Sequence, residues 1–152
     1  MTNENETVLV TGGSGFIATH CILKLAAAGY KIKSTVRNLD RVTDLNDILN
    51  KAGSQHERLN RVEVEWTSAD LTKDEGWDDA VSGCKYVLHV ASPVSLDVKD
   101  ENELITPARE GTLRVLKAAS KAKVERVVLT PSVAAILNLS LIHISEPTRH
   151  RR

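Results

Sequence analysis

The chain carries no surplus of either charge: 20 lysines and arginines face 20 aspartates and glutamates in 152 residues. A balanced chain has no electrostatic footprint for nucleic acid or an anionic membrane, and neither is expected as a partner. Cysteine is scarce. Cys21 and Cys84 lie far apart and match no metal or redox spacing; reduced thiols in or near the core of a cytoplasmic protein are expected rather than a disulfide. No apolar run is long enough to span a bilayer. The opening MTNENE lacks a basic stretch followed by an apolar one, so no signal peptide is expected. Linkers, short-period repeats and low-complexity segments are absent as well. What remains is an ordinary composition, 41% hydrophobic and 26% charged, suited to one soluble domain with a real core.

Periodicity alternates along this chain. TVLVT (7–11) is a short β-rich run, followed after a glycine cluster by a helical pattern in FIATHCILKLAAAG. Ile17, Cys21 and Leu25, flanked by Ala18, Ile22 and Ala26, predict its buried stripe. Gly29 is placed to stop it. A strand is expected over 31–36. A helix over 40–53 would bury Val42, Leu45, Ile48 and Ala52 and stop at Gly53. Residues 61–66 alternate as a strand does. A short helix is expected over 74–83, a fully buried strand over 86–92, a long helix over 102–122 and a fifth strand over 125–132. Strict β-α alternation with helix-sized crossovers predicts one α/β domain, a doubly wound parallel sheet of Rossmann type, truncated after about the fifth strand.

The first turn carries chemistry. In VLVTGGSGFIATH, Gly12, Gly15 and Ala18 stand at G-x-x-G-x-x-A spacing between a strand and a helix. Gly12 permits the tight turn. Gly15 lets backbone approach a pyrophosphate, Ala18 keeps the helix near the sheet, and the helix N-terminus offers N–H groups and a positive dipole end. Gly12, Gly13, Ser14, Gly15, Phe16 and Ile17 are therefore candidate cofactor contacts. An acidic residue at the end of the second strand would bond the ribose 2′-hydroxyl of NAD(H). This chain has Arg37 there and Arg41 one turn on. Guanidinium groups suit a 2′-phosphate, so NADP(H) is favoured over NAD(H).

TGGSGFIA, STVR, ADLT, YVLHVASP, PAREGTLRVLKAA and RVVLTPSVAAI, in that order, resemble an extended short-chain dehydrogenase/reductase of the NAD-dependent epimerase/dehydratase group. Within it they are most like the dihydroflavonol-reductase-like aldehyde and ketone reductases. The resemblance implies that Asp70 and Leu71 meet the adenine, that Val90, Ala91 and Ser92 back the ribose and pyrophosphate, and that Ser132 is the catalytic serine polarising a small-molecule carbonyl. Pro131 departs from the small residue usual before that serine. His89, inside the fourth strand, reads as a buried neutral histidine, and Trp66 and Trp77 as packing residues.

The same resemblance implies a Tyr-x-x-x-Lys after Ser132, the tyrosine moving the proton and the lysine lowering its pKa. Both tyrosines, Tyr30 and Tyr86, precede Ser132, and neither begins that motif. The chain as written is therefore expected to be inactive. A non-catalytic dinucleotide-binding module and an NAD-dependent sugar-nucleotide epimerase/dehydratase relative remain alternatives. The last residues, LSLIHISEPTRHRR (139–152), continue no motif, and 139–149 resemble one reading frame of a transposase-type sequencing adapter. Residues 1–138 are thus expected to form an incomplete NADP-binding domain. Residues 139–152 would be a non-native tail, with the substrate domain absent.

Overall fold

A computed structural model describes residues 5–55, 59, 61–93, 100 and 102–131. Ser132 and the 139–152 tail lie outside the described residues. Five strands, β1 (Thr7–Val10), β2 (Lys31–Val36), β3 (Val64–Ser68), β4 (Tyr86–His89) and β5 (Arg126–Leu129), pair in parallel in the order β3-β2-β1-β4-β5. The helices α1 (Phe16–Ala27), α2 (Val42–Gly53), α3 (Trp77–Val81) and α4 (Asn102–Lys121) connect them, with a 3-10 turn at Leu39–Arg41 leading into α2. This is the expected doubly wound sheet. The order reverses between β1 and β4, and the crevice beyond that switch point is where open parallel sheets bind ligands.

Period-two alternation sends neighbouring residues of β1 to opposite faces. Leu9 joins Trp77, Ala80, Val81, Val87, Val115 and Ala118 under α3 and α4. Val10 joins Ala18, Ile22, Leu23, Ile32 and Leu49 under α1 and α2. Two cores therefore sandwich one sheet, and Leu9 and Val10 are both fully buried. Cys84 is buried and Cys21 half-buried, and both are free thiols. Burial pushes the Cys84 thiol up to about 11, keeping it protonated and inert.

Several boundaries depart from the sequence-based expectation for identifiable reasons. On α1 the buried face runs through Ala18, Ile22 and Leu23. Ile17, expected in that stripe, is 56% exposed and faces the open space at the C-terminal ends of the strands. On α2 the buried positions are Leu45, Leu49 and Gly53, an i, i+4 row, and Ile48 faces solvent. α2 ends at Gly53 as expected, and Gly53 is also a packing glycine: a Cβ there would stand 2.9 Å from Val62 Cγ2. Gly29 stops its helix. Its φ is 85°, Gly29 N–H donates to Ala26 C=O and Tyr30 N–H to Leu25 C=O, the paired bonds of a Schellman ending.

The third strand begins at Val64 because the Val62 N–H donates to Asn50 Oδ1 at 3.0 Å, tying this approach to α2 rather than to β2. α3 starts only at Trp77, since Gly76 takes φ 84° against the Ser68 carbonyl. β4 ends at His89 because the next two amides leave the sheet for a side chain.

Candidate functional site

That side chain is Thr11, at the C-terminal end of β1. Its Oγ1 accepts from Val90 N–H and Ala91 N–H, both at 3.0 Å, and lies 2.8 Å from His89 Nδ1. Thr35, at the end of β2, holds the other side of the turn. Its Oγ1 accepts from Gly12 N–H at 3.0 Å and its carbonyl from Gly13 N–H at 2.8 Å. Ser34 Oγ donates to the Val10 carbonyl at 2.7 Å. Hydroxyls of three buried residues, Thr11, Ser34 and Thr35, thus fasten the glycine turn to both neighbouring strands. None was singled out from the sequence. A threonine just before G-G and a serine-threonine pair at the C-terminal half of β2 were the available signals.

Gly12 takes φ 71° and packs on Ala91, whose Cα would lie 3.0 Å from an added Cβ. This is the tight turn that the spacing implied. Gly13 behaves differently: a Cβ there would meet Ser34 Oγ at 2.2 Å and Trp66 Cζ3 at 2.5 Å. Gly13 therefore faces inward against the sheet, and its amide is already used. Gly15 is the N-cap of α1, supplies no side-chain cap, and is followed by a first turn without acidic residues. The amides of Phe16, Ile17 and Ala18 are left without intrahelical acceptors, at the positive end of a helix.

A cleft of about 840 Å³ opens at the C-terminal ends of the strands. It brings together Gly12, Ser14, Gly15, Phe16 and Ile17 from the first turn, Arg37 from the end of β2, Asp70 and Leu71 beyond β3, and Val90, Ala91 and Ser92 beyond β4. Glu103, Leu104 and Pro107 of α4 and Thr130 and Pro131 after β5 close its far wall. A smaller cavity of about 330 Å³ adjoins it, lined by Ser14, Val36, Arg37, Asn38 and Arg41. Arg41 belongs to this smaller space and Gly13 lines neither. Phe16, 80% exposed, stands at the mouth with its ring 4.6 Å from that of His20.

Asp70 accepts from the N–H and hydroxyl of Thr72 at 2.9 and 2.8 Å. The backbone bond above all holds its carboxyl below the usual carboxylate range; desolvation opposes it, and the hydroxyl and then the nearby Arg37 and Lys73 charges lower it further. Its side chain is turned into the local loop. Leu71 packs against Gly111 of α4, where a Cβ would approach Leu71 Cβ to 2.7 Å. Trp77 is buried, its indole N–H directed at the carbonyls of Asp70 and Lys73. Trp66 donates to Asn46 Oδ1 at 2.9 Å. Among the described residues no cluster of His, Cys, Asp and Glu could hold a metal ion, and no helix is long and apolar enough to cross a membrane.

His89 is 2% exposed, and burial lowers its pKa from 6.5 to about 4. The unfolded chain takes up this proton as pH falls through 6.5, whereas the folded chain resists until about 4. The resulting stability is complete above pH 6.5 and drains away between 6.5 and 4, by about 3 kcal/mol. Urea midpoints should fall across that window and flatten there in His89→Asn. An unchanged slope in the variant would assign the acid sensitivity to other groups.

Comparison with known proteins is consistent with this geometry. The chain is 39% identical over 141 residues to dihydroflavonol 4-reductase of Arabidopsis thaliana, covering 90% of this chain and 35% of that protein. It thus spans about a third of the length of such relatives. Among solved structures, yeast methylglyoxal/isovaleraldehyde reductase complexed with NADPH superimposes with TM-score 0.66 at 28% identity, over 85% of this chain and 38% of that one. UDP-glucose 4-epimerase of Bifidobacterium longum, in complex with NAD+ and UDP, superimposes with TM-score 0.64 at 25% identity, over 84% and 37%. The family model of the 3-beta hydroxysteroid dehydrogenase/isomerase family matches residues 9–149, a span that includes 139–149. With a parallel sheet reversing at β1 and β4 and a glycine turn at its switch point, this chain belongs to that family of oxidoreductases.

Proposed function

We propose that this chain is the cofactor-binding part of an NADP(H)-dependent reductase whose longer parent reduces an aldehyde or ketone. The observation that carries the cofactor assignment is the small cavity between Arg37 and Arg41, continuous through Ser14 with the glycine turn. The donor set fits a dinucleotide. The first turn of α1 would hold the pyrophosphate through the amides of Phe16 and Ile17, and the two guanidinium groups a 2′-phosphate. Asp70 and Leu71 would meet the adenine, and Val90, Ala91 and Ser92 would back the adjoining ribose. When bound, the nicotinamide supplies or accepts the hydride. The protein's part is to bind, orient and shield it, with Ser132 assigned by resemblance to polarise the carbonyl.

The competing reading is an NAD-dependent relative, favoured by the NAD+ of the epimerase neighbour. Because no Tyr-x-x-x-Lys follows Ser132 in this chain, binding without turnover is the expected behaviour, in a cytoplasmic setting. Fluorescence titration with NADPH and NADH tests the assignment, and tighter binding of NADPH is expected. Equal affinities, or a preference for NADH, would remove it. Measurable NADPH-dependent reduction of an aldehyde by this chain would overturn the inactivity.

A further inference from the structure

His89 is buried just before the Val90–Ala91 segment that lines the cleft, and its bonds do more than satisfy a core polar group. Thr11 Oγ1 accepts two amide protons, from Val90 and Ala91, which occupies both of its lone pairs. Its one proton is left for His89 Nδ1, 2.8 Å away. Nδ1 must therefore accept, and the ring proton resides on Nε2. Nε2 faces Thr112 Oγ1 of α4 at 3.4 Å. Burial alone accounts for the altered basicity of the ring, with no charged side chain contributing. Protonating Nδ1 would set two donors against each other and turn the Thr11 hydroxyl away from the amides.

We propose that His89, as the Nε2–H tautomer, is a positioning residue for the nucleotide cleft: it orients the Thr11 hydroxyl so that the Val90–Ala91 segment is held against the glycine turn. The contact through which this acts is tight, since Ala91 Cα lies 3.0 Å from where a Gly12 Cβ would be. A shift of Ala91 is therefore transmitted to the turn. The inference rests on the dinucleotide reading, and its test separates the two.

The experiment compares His89→Asn with His89→Leu. An asparagine amide oxygen can take the place of Nδ1 as acceptor, whereas leucine fills the space and accepts nothing. NADPH affinity, measured well below each melting temperature, should fall about tenfold or more in His89→Leu and stay within about threefold in His89→Asn, the decade expected for one unsatisfied buried donor. Amide hydrogen exchange at Val90 and Ala91 should quicken in the leucine variant alone. If the leucine variant binds as tightly as the parent with unchanged exchange, or if asparagine is as damaging as leucine, the positioning role is wrong. If the unsubstituted chain binds neither nucleotide, the dinucleotide reading falls and the exchange data alone decide the positioning role. Should the leucine variant not fold, Thr11→Val read against Thr11→Ser makes the same comparison from the other end of the bond.

Discussion

Replacing Arg37 and Arg41 together by alanine is expected to weaken NADPH binding by about 10- to 100-fold, the range for losing charged hydrogen bonds to a phosphate. NADH binding should be unchanged. The expectation follows from where the side chains stand. Both line the 330 Å³ cavity with Ser14 and Asn38, and NADH carries no phosphate to place there. Arg37→Glu should go further and favour NADH, since a carboxylate at this position can accept from the ribose hydroxyls while repelling a 2′-phosphate. Paired titrations at fixed ionic strength read both outcomes. A double variant that loses both nucleotides equally would show the arginines acting as general positive charge. No loss at all would place the phosphate elsewhere.

Gly13→Ala is the second large effect expected, a stability loss of about 2–3 kcal/mol from overpacking, with loss of nucleotide binding. The added methyl would overlap Ser34 Oγ at 2.2 Å and the Trp66 ring at 2.5 Å. Neither can retreat easily. Ser34 is bonded to the Val10 carbonyl inside the sheet, and the Trp66 indole is anchored on Asn46 of α2. Gly83→Ala is the control. It has φ 72° but nothing within 4 Å of the new Cβ, so it should cost only the left-handed strain, about 1 kcal/mol. Adding Ser34→Ala to Gly13→Ala should restore part of the loss by removing the nearer contact. Equal melting temperatures for Gly13→Ala and Gly83→Ala would sink the packing argument.

These two cases also mark how far the sequence could be read. The alternating periods were enough for a parallel doubly wound sheet, because each crossover contained a helix and each helix an apolar row. The tight turn at Gly12 and the arginine after β2 were legible because their roles depend on local spacing. Gly13 was not legible: its reasons for lacking a side chain are Ser34 and Trp66, on neighbouring strands far along the chain, the latter brought beneath it only by β2–β3 pairing. Gly53 marks the end of α2 as its place in the sequence implied, but its packing role was not legible for the same reason, its partner Val62 lying across a loop. The errors in helix faces, Ile17 and Ile48, are shifts of one position, which periodicity resolves poorly when several apolar residues adjoin. The hydroxyls of Thr11, Ser34 and Thr35 carried only a faint signal, a threonine before the glycines and a serine-threonine pair in β2, since a buried polar residue is explained only by the partner it meets.

The Thr11–His89 bond joins residues 78 apart in the chain, and this separation governs when the cleft can come into being. β1, α1 and β2 are contiguous, so the glycine turn and its Thr35 clasp involve only local closure. The opposite clasp waits for β4, and closing so long a loop is entropically slow. During synthesis the phosphate-facing turn would therefore exist for many residues with one side unfastened, competent in outline but without its floor. Completion of the pocket is tied to insertion of the last-arriving neighbour of the central strand, making site assembly a late event in folding rather than an early one.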